Sequence, residues 1–175
     1  MTMERITLAV VIGSVREGRF GPTVANWFAE RAGADGAFEV VLVDVADRDG
    51  DFAAAVDRAD AFAVVTPEYN HGYPGALKEA IDSVHTGWLA KPVAFVSYGG
   101  LSGGLRAVEQ LRQVFAELHA VTVRETVSFH NAHTRFAGGS PVDPGADVAA
   151  KKLLTHLHWW ATTLREAKRT NPYPA

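Results

Sequence analysis

Three short segments of the chain consist almost wholly of apolar residues, and they constrain the fold more than any other feature. They are ITLAVVI, DAFAVVT and PVAFVSY, at residues 6–12, 60–66 and 92–98. A strand with one solvated face alternates apolar and polar residues, whereas a strand buried on both faces does not. The three runs therefore predict the central strands of a parallel sheet that carries helices on both sides.

Amphipathic segments alternate with these apolar runs along the chain. The spacing of apolar residues predicts helices at residues 22–32, 74–84, 104–119 and about 144–167. Two further strands are predicted at 38–45 and 121–129, the second with a break near Glu125. The link DRDGDFAAAVDR between the second and third strands leaves room for only a short helix. Pro74 is predicted to begin its helix, and Asp143 and Pro144 to form the cap and first turn of the last helix.

This order of elements predicts a doubly wound α/β fold of the flavodoxin kind. The expected sheet is parallel and five-stranded, with strand order 2-1-3-4-5. The length of 175 residues suits one domain that spans residues 1–175. In such sheets, ligands bind beyond the carboxyl ends of the strands, where the strand order reverses. The loops after the first, third and fourth strands meet at that point, and they are the three unusual loops of this sequence.

Composition excludes several other classes of function. The net charge of −3 and the pI near 6.1 indicate no basic surface for nucleic acid. The chain has no cysteine, which excludes a thiolate metal site and the nucleophile of a cysteine phosphatase. The run at residues 6–12 is too short to span a membrane, and we expect a cytoplasmic protein. His130 and His133 lack nearby carboxylates, and His156 and His158 cannot share a helix face, so no metal site is predicted.

The loop after the first strand, GSVREGRFGPTV at residues 13–24, is suited to a phosphate group. Ser14, Arg16, Arg19 and Thr23 lie just before or within the start of a predicted helix. A helix N-terminus offers free N–H groups and a partial positive charge, and hydroxyl and guanidinium groups add donors. The loop matches neither G-x-x-x-x-G-K-[ST] nor G-x-G-x-x-G, which favours a terminal phosphate monoester. The alternative is a polar turn with two solvated arginines.

The loops after the third and fourth strands are suited to a flat ring. In PEYNHGYPG, at residues 67–75, we expect the backbone N–H groups of residues 68–70 to be free of the ladder and to bind a polar ring edge. The tyrosines supply stacking surface, and the glycines of YGGLSGG, residues 98–104, let the backbone approach a ligand. The alternatives are tyrosines that only pack on helices and a Ser102 that caps a helix. Together the three loops predict a ring with a phosphate tail, the shape of flavin mononucleotide (FMN).

Three motifs, GSVREGR, TPEYNHGYPGALKEAIDS and SYGGLSGGLRAVEQLR, resemble those of the NAD(P)H-dependent FMN reductase family. That family includes small flavodoxin-like azoreductases and quinone reductases, and the resemblance extends from residue 6 to about residue 129. It implies that the first motif holds the FMN phosphate and that the other two enclose the ring. The cofactor-binding residues implied in this way are Ser14, Arg16, Arg19, Phe20, Gly21, Thr23, Pro67, Glu68, Tyr69, Asn70, Tyr98, Gly99, Gly100, Ser102 and Gly103.

The sequence departs from the family in two places. The segment DVADRDGDFAAAVDR is shorter than its counterparts, which affects the expected rim of the pocket and the subunit contacts. The first loop lacks a Ser and an Asn that relatives carry near Arg19 and Gly21. Arg19 and Thr23 are expected to take over their role.

The resemblance also implies an activity. Hydride passes from NADPH or NADH to flavin N5, and electrons then pass to a flavin, quinone or azo compound at the same face, with ping-pong kinetics. We expect no catalytic side chain, because the cofactor carries the chemistry, and we interpret Glu68 as a solvated loop carboxylate. Relatives form homodimers or homotetramers, and the charged face of the helix at residues 104–119 is a candidate contact. The alternatives are a non-enzymatic electron carrier, a flavin-binding module without turnover, and a scaffold without cofactor.

Overall fold

A five-stranded parallel sheet forms the centre of the computed structural model, which describes residues 5–34, 36–47 and 50–174. Its strands are β1 (Ile6–Ile12), β2 (Phe38–Asp44), β3 (Ala61–Pro67), β4 (Pro92–Gly99) and β5 (Val121–His130), in the spatial order β2-β1-β3-β4-β5. This confirms the predicted fold and strand order. After β5, two short strands that were not predicted, β6 (Phe136–Ala137) and β7 (Ser140–Pro141), pair as an antiparallel hairpin.

Five α-helices cover the two faces of the sheet. They are α1 (Gly21–Gly33), α2 (Phe52–Arg58), α3 (Gly75–Asp82), α4 (Leu105–Glu117) and α5 (Gly145–Thr170). The residues of β1 alternate between two buried clusters: Leu8 and Val10 pack towards α1 and α5, whereas Ala9 and Val11 pack towards α2, α3 and α4. Burial on both faces is the reason that this strand is apolar throughout. Helix α2 has seven residues, as the short link predicts.

Three local predictions differ from the structure. Strand β5 is not broken near Glu125 but runs from Val121 to His130, and its register on β4 shifts between the pairs formed by Val93 and Phe95. Asp143 is not the cap of α5, because Pro144 is its N-cap and the helix begins at Gly145; the Asp143 carboxylate nevertheless accepts the N–H of Gly145 at 2.8 Å. Pro74 likewise precedes α3 as its N-cap with an extended ψ of 136°, and is not its first residue. The ring of proline suits this position because an N-cap takes dihedral angles of the extended region.

Within the described residues, none of the helices combines the length and the apolar character that crossing a membrane requires.

Candidate functional site

A cleft of about 570 Å³ opens beyond the carboxyl ends of the central strands, where the sequence predicted a site. A volume of this size suits a cofactor-sized ligand. The cleft is lined by Arg16, Glu17, Gly18, Arg19, Phe20, Pro67, Glu68, Tyr69, Tyr98, Gly99, Gly100, Asn131, Ala132, His133 and Thr134. A smaller cavity of about 370 Å³ lies between β5, the β6–β7 hairpin and the start of α5, away from the three predicted loops.

In the first loop, Arg19 is held on two sides. Its guanidinium group donates to both carboxylate oxygens of Asp44, at 2.6 Å each, and to the carbonyl oxygen of Ser14 at 2.5 Å. Hydrogen bonding from Arg19 lowers the pKa of Asp44 below its ordinary value. Asp44, the last residue of β2, was not among the predicted site residues. The signal was available, because the strand order places the end of β2 beside the loop that follows β1.

Beneath this loop, Ser14 is fully buried, and its hydroxyl oxygen has no hydrogen-bond partner. The hydroxyl group of Tyr98 is its neighbour; burial raises the pKa of Tyr98 to about 12, although interaction with the Ser14 hydroxyl acts to lower it. Both oxygens face Gly21, the first residue of α1. A Cβ atom added at Gly21 would lie 2.3 Å from Ser14 Oγ and 2.9 Å from Tyr98 Oη.

This arrangement fits the phosphate of FMN. A buried hydroxyl without a partner costs about 1–3 kcal/mol, and a phosphate oxygen at the start of α1 would relieve that cost. The helix start adds the backbone N–H of Gly21 and a partial positive charge, whereas Pro22 has no N–H and that of Thr23 donates to the carbonyl oxygen of Phe20 at 3.1 Å. The residues present therefore agree with the donor set that a phosphate monoester requires.

The second loop is paired more fully than the sequence predicted. Residues 69–72 form a tight turn, in which Tyr69 and Gly72 exchange backbone hydrogen bonds of 2.8 and 3.1 Å. The N–H group of Glu68 donates to the carbonyl oxygen of Tyr98 at 3.3 Å. The expectation of free N–H groups at Glu68 and Tyr69 is therefore wrong. The reason is that the pairing of β3 with β4 continues for one more residue, and the turn then closes on itself.

Glu68 is buried rather than solvated, with only 6% of its side chain exposed. One carboxylate oxygen accepts from Arg106 Nε at 2.7 Å, and the other accepts from the Ser102 hydroxyl and from the backbone N–H of Arg106 at 3.2 Å. Burial alone would raise the pKa of Glu68, but the hydrogen bonds from Ser102 and Arg106 outweigh it and lower that pKa. Glu68 is therefore not the solvated carboxylate that was expected. Its partner Arg106 lies 38 residues away in sequence, so no local pattern indicates the pair. Ser102 binds Glu68 and is not the cap of α4, whose N-cap is Gly104.

The glycines of the third loop have two different roles. Gly103 and Gly104 have φ angles of 62° and 85°, and a Cβ atom on either would clash with side chains of the sheet. The nearest atoms would be Ser128 Oγ at 2.4 Å and Ser97 Cβ at 2.6 Å. These two glycines therefore let the loop pack closely on β4 and β5. Gly99 and Gly100 are the glycines of this loop that line the cleft.

The cleft brings together most of the predicted residues. Those that line it are Arg16, Arg19, Phe20, Pro67, Glu68, Tyr69, Tyr98, Gly99 and Gly100. The guanidinium group of Arg16 lies 3.5 Å from the centroid of the Tyr69 ring and so joins the first loop to the second. The predicted residues that do not line the cleft are Ser14, Gly21, Thr23, Asn70, Ser102 and Gly103.

The loop after β5 also lines the cleft, and sequence analysis missed it. Asn131 donates its backbone N–H to the carbonyl oxygen of Gly100 at 2.9 Å, which ties this loop to the third. The ring of His133 packs against Phe20 with centroids 4.9 Å apart. Since β5 neighbours β4, its loop belongs to the same sheet edge, and the strand order alone indicated this.

The other histidines considered as metal ligands have different partners. His130 Nδ1 lies 2.8 Å from the carbonyl oxygen of Leu101, and His156 Nδ1 lies 2.6 Å from the carboxylate of Glu125. Among residues 5–34, 36–47 and 50–174, no group of three or more histidine, aspartate and glutamate side chains is arranged to hold a metal ion.

Comparison with known proteins agrees with the geometry of the cleft. The model of the NADPH-dependent FMN reductase family matches residues 6–134, a segment that includes all four loops around the cleft. The chain belongs to the NADPH-dependent FMN reductase family. This confirms the family that the three motifs predicted.

Two similar proteins match different lengths of the chain. An NAD(P)H-dependent FMN reductase of Schizosaccharomyces pombe is 33% identical over 129 residues, covering 61% of this chain and 64% of the relative. The match therefore spans less than two thirds of that reductase. A quinone reductase of Escherichia coli K12 is 30% identical over 192 residues, covering 93% of this chain and 95% of the relative.

A solved structure supports the same assignment. The flavoenzyme NAD(P)H:(acceptor) oxidoreductase of Paracoccus denitrificans superposes with a TM-score of 0.65 at 26% identity, over 92% of this chain and 98% of that one. The likeness thus extends over most of both chains.

Proposed function

We propose that the protein is an FMN-dependent oxidoreductase that uses NADPH or NADH to reduce a small-molecule acceptor. The observation that carries the proposal is the buried Ser14 hydroxyl without a partner, which lies beside Gly21 at the start of α1. Membership of the NADPH-dependent FMN reductase family supports the same activity. When bound, FMN would supply the hydride-transfer and electron-transfer chemistry between NAD(P)H and the acceptor.

The first loop and α1 hold the phosphate in this proposal. Ser14 and Thr23 provide hydroxyl donors, Gly21 provides a backbone donor at the helix start, and Arg16 balances the charge of the phosphate. The charge of Arg19 is already compensated by Asp44. Arg16 has no carboxylate partner in the described part of the chain, and so it is the free cation at the mouth of the cleft.

The second and third loops hold the ring. Pro67, Tyr69, Gly99 and Gly100 line the cleft and leave one side open to substrates. We assign no general acid or base, since the carboxylate of Glu68 is fully occupied by its hydrogen bonds. The protein's contribution is to orient the ring and to exclude water from one of its faces.

The acceptor, the assembly and the location complete the proposal. The quinone reductase relative supports a small organic acceptor, with quinones, azo compounds and free flavin as the classes to compare. We infer a homodimer or homotetramer from the family resemblance. A cytoplasmic location accords with the proposed use of NAD(P)H.

The test is a visible spectrum of the purified protein with FMN, recorded before and after anaerobic addition of NADPH or NADH. We expect flavin bands that shift on binding and bleach when the nicotinamide is added. Bands that shift but remain oxidised would replace the reductase with an electron carrier or a binding module. Failure of FMN to shift at all would overturn the proposal.

Steady-state kinetics test the use of one site by both substrates. We expect parallel lines in double-reciprocal plots of initial rate, because donor and acceptor occupy the same open side of the cleft in turn. Intersecting lines would show that both substrates bind together and would contradict the one-site order.

A further inference from the structure

Side chains on one face of helix α4 form hydrogen bonds with the turn at residues 69–72 and with Glu68 just before it; the turn lies at the edge of the cleft. Arg106 and Gln110, one helical turn apart, supply the contacts. We propose that Arg106 is a positioning residue, which sets the place of Tyr69 for whatever binds in the cleft. The inference rests on the proposed function only where FMN is used as the probe.

Arg106 contacts the chain both just before the turn and within it. Before the turn, its Nε atom and its backbone N–H bind the two carboxylate oxygens of Glu68 at 2.7 and 3.2 Å. Within the turn, its Nη1 atom lies 2.6 Å from Nε2 of His71. A planar guanidinium group makes both contacts at once because its donors point in fixed directions. A change at Arg106 therefore releases both anchors together.

Gln110 adds a contact to the backbone of the turn. Its Nε2 atom donates to the carbonyl oxygen of His71 at 2.9 Å. A Cβ atom added at Gly72 would lie 3.3 Å from Gln110 Oε1, so the helix approaches the turn closely. Helix α4 thus binds both a side chain and the backbone of the turn.

The turn needs this support because its backbone is strained. Asn70 and His71 have φ angles of 51° and 71°, in the left-handed region that residues other than glycine rarely adopt. Such conformations persist when surrounding contacts determine them. The residue at the base of the turn is Tyr69, which lines the cleft and carries Arg16 on its ring.

Burial of the carboxylate makes the anchor sensitive to loss of its partner. The Glu68 side chain is 6% exposed and that of Arg106 is 41% exposed, so the carboxylate is the enclosed member of the pair. Removing the cation leaves the buried carboxylate with an uncompensated charge, which is strongly destabilising unless the carboxylate becomes solvated. We expect Glu68 to turn outwards and to carry Tyr69 away from its place in the cleft.

Arg106 is not a catalytic residue in this proposal. It does not line the cleft, and its contacts are with Glu68 and His71. Its effect on a ligand passes through the position of the turn. The matched control is Arg112, on the same helix, which donates to the carbonyl oxygens of Val123 and Arg124 in β5 and faces away from the turn.

The experiment compares Arg106→Met with Arg112→Met by two measurements. Amide exchange in the protein without ligand reports on the hydrogen bonds between Tyr69 and Gly72, and titration reports the Kd of FMN. For Arg106→Met we expect exchange at these two amides to be at least about tenfold faster and the Kd of FMN to rise about tenfold. For Arg112→Met we expect both values to stay within about twofold of wild type, even where the melting temperature falls.

Further variants keep the proposal testable if Arg106→Met does not fold. Arg106→Met combined with Glu68→Gln removes both charges, and Gln110→Ala removes one contact at an exposed position. We expect both to loosen the turn, the second variant less than the first. Arg106→Lys keeps the charge without the planar fork, and we expect it to restore stability but only part of the FMN affinity.

The outcomes separate the possible explanations. A lower melting temperature for Arg106→Met with unchanged exchange at Tyr69 and unchanged FMN affinity would overturn the proposal and leave Arg106 a structural residue. Equal effects of Arg106→Met and Arg112→Met would do the same. If wild type itself fails to bind FMN, the proposed function fails, while the exchange measurement still decides whether Arg106 positions the turn.

Discussion

Ser14 and Glu68 occupy similar places in the sequence, each close after an apolar strand, yet the structure treats their polar groups in opposite ways. The Ser14 hydroxyl is buried without a partner, whereas the Glu68 carboxylate accepts hydrogen bonds from both Ser102 and Arg106. An unpaired buried hydroxyl can still bind a ligand, whereas a carboxylate that already accepts several hydrogen bonds supports its loop. Residue type alone does not distinguish these roles.

Ser14→Ala tests the phosphate site at this scale. We expect FMN binding to weaken about tenfold or more, because a hydrogen bond to a charged phosphate is lost. Riboflavin, which has no phosphate, should bind within about twofold of wild type, and the protein without ligand should keep its stability or gain up to about 1 kcal/mol. Titration with both flavins and thermal unfolding measure these effects.

Ser83→Ala is the control for this variant, since the Ser83 hydroxyl is exposed and donates to the carbonyl oxygen of Ala80, far along the chain from the first loop. It should leave the affinity for both flavins unchanged. Equal losses of FMN and riboflavin affinity in Ser14→Ala would show that the hydroxyl does not read the phosphate.

Among the secondary-structure elements, helix α2 shows how tertiary structure completes a short segment. The last carbonyl groups of a helix lack donors within the helix. In α2, the ammonium group of Lys91 is the donor: it binds the carbonyl oxygens of Val56 and Asp57 at 2.8 and 3.0 Å. Lys91 immediately precedes β4, and its Nζ atom also lies 5.7 Å from the centroid of the Phe62 ring. The seven-residue helix therefore ends on a buried cation.

That burial predicts a pH dependence of stability. Burial, and then the charge of Lys168, lowers the pKa of Lys91 to about 8 from 10.5. Between these two values the unfolded chain binds the proton that the folded protein has released, so the free energy of unfolding rises with pH in this range. From pH 7 to 10.5, we expect wild type to gain roughly 2 kcal/mol of stability relative to Lys91→Met.

Denaturant unfolding at a series of pH values measures this difference, and the variant serves as the control for other groups that titrate in the same range. Parallel pH profiles for wild type and Lys91→Met would show that Lys91 keeps its ordinary pKa in the folded protein.

For the whole molecule, the surface beside the cleft bears on assembly. Leu101 in the third loop is 88% exposed and Leu105 at the start of α4 is 41% exposed. Two charged residues of α4, Arg106 and Arg112, bind Glu68 and the backbone of β5. The proposed contact between copies therefore rests on the exposed leucines more than on alternating charges.

Light scattering tests this contact. We expect a mass of two or four times the 18.8 kDa of the chain, and a shift towards 18.8 kDa in Leu101→Asp. Val148→Asp, at a position on α5 that is 71% exposed, is the matched control and should leave the mass unchanged. A wild-type mass of 18.8 kDa at working concentration would contradict the proposed oligomer.

The sequence by itself determined the layered sheet, its strand order and the three loops around the cleft. Strands buried on both faces are apolar throughout, and the helical spacing between them leaves few other folds. The bounds of β1 agree with the prediction to the residue, because the apolar run ends where a polar loop begins. The glycine-rich and hydroxyl-rich loops stand out for the same reason, since local composition reports local backbone freedom and donors.

Only the tertiary structure decided which polar groups are paired. The partners of Arg19, Lys91 and Glu68 lie 25, 35 and 38 residues away along the chain, and a side chain meets them only after the sheet has formed. The same holds for the contribution of residues 131–134 to the cleft, which depends on β5 lying beside β4. Local sequence fixes the period of an element and the chemistry of a loop, whereas a salt bridge or a cleft wall depends on distances between elements that no local pattern encodes.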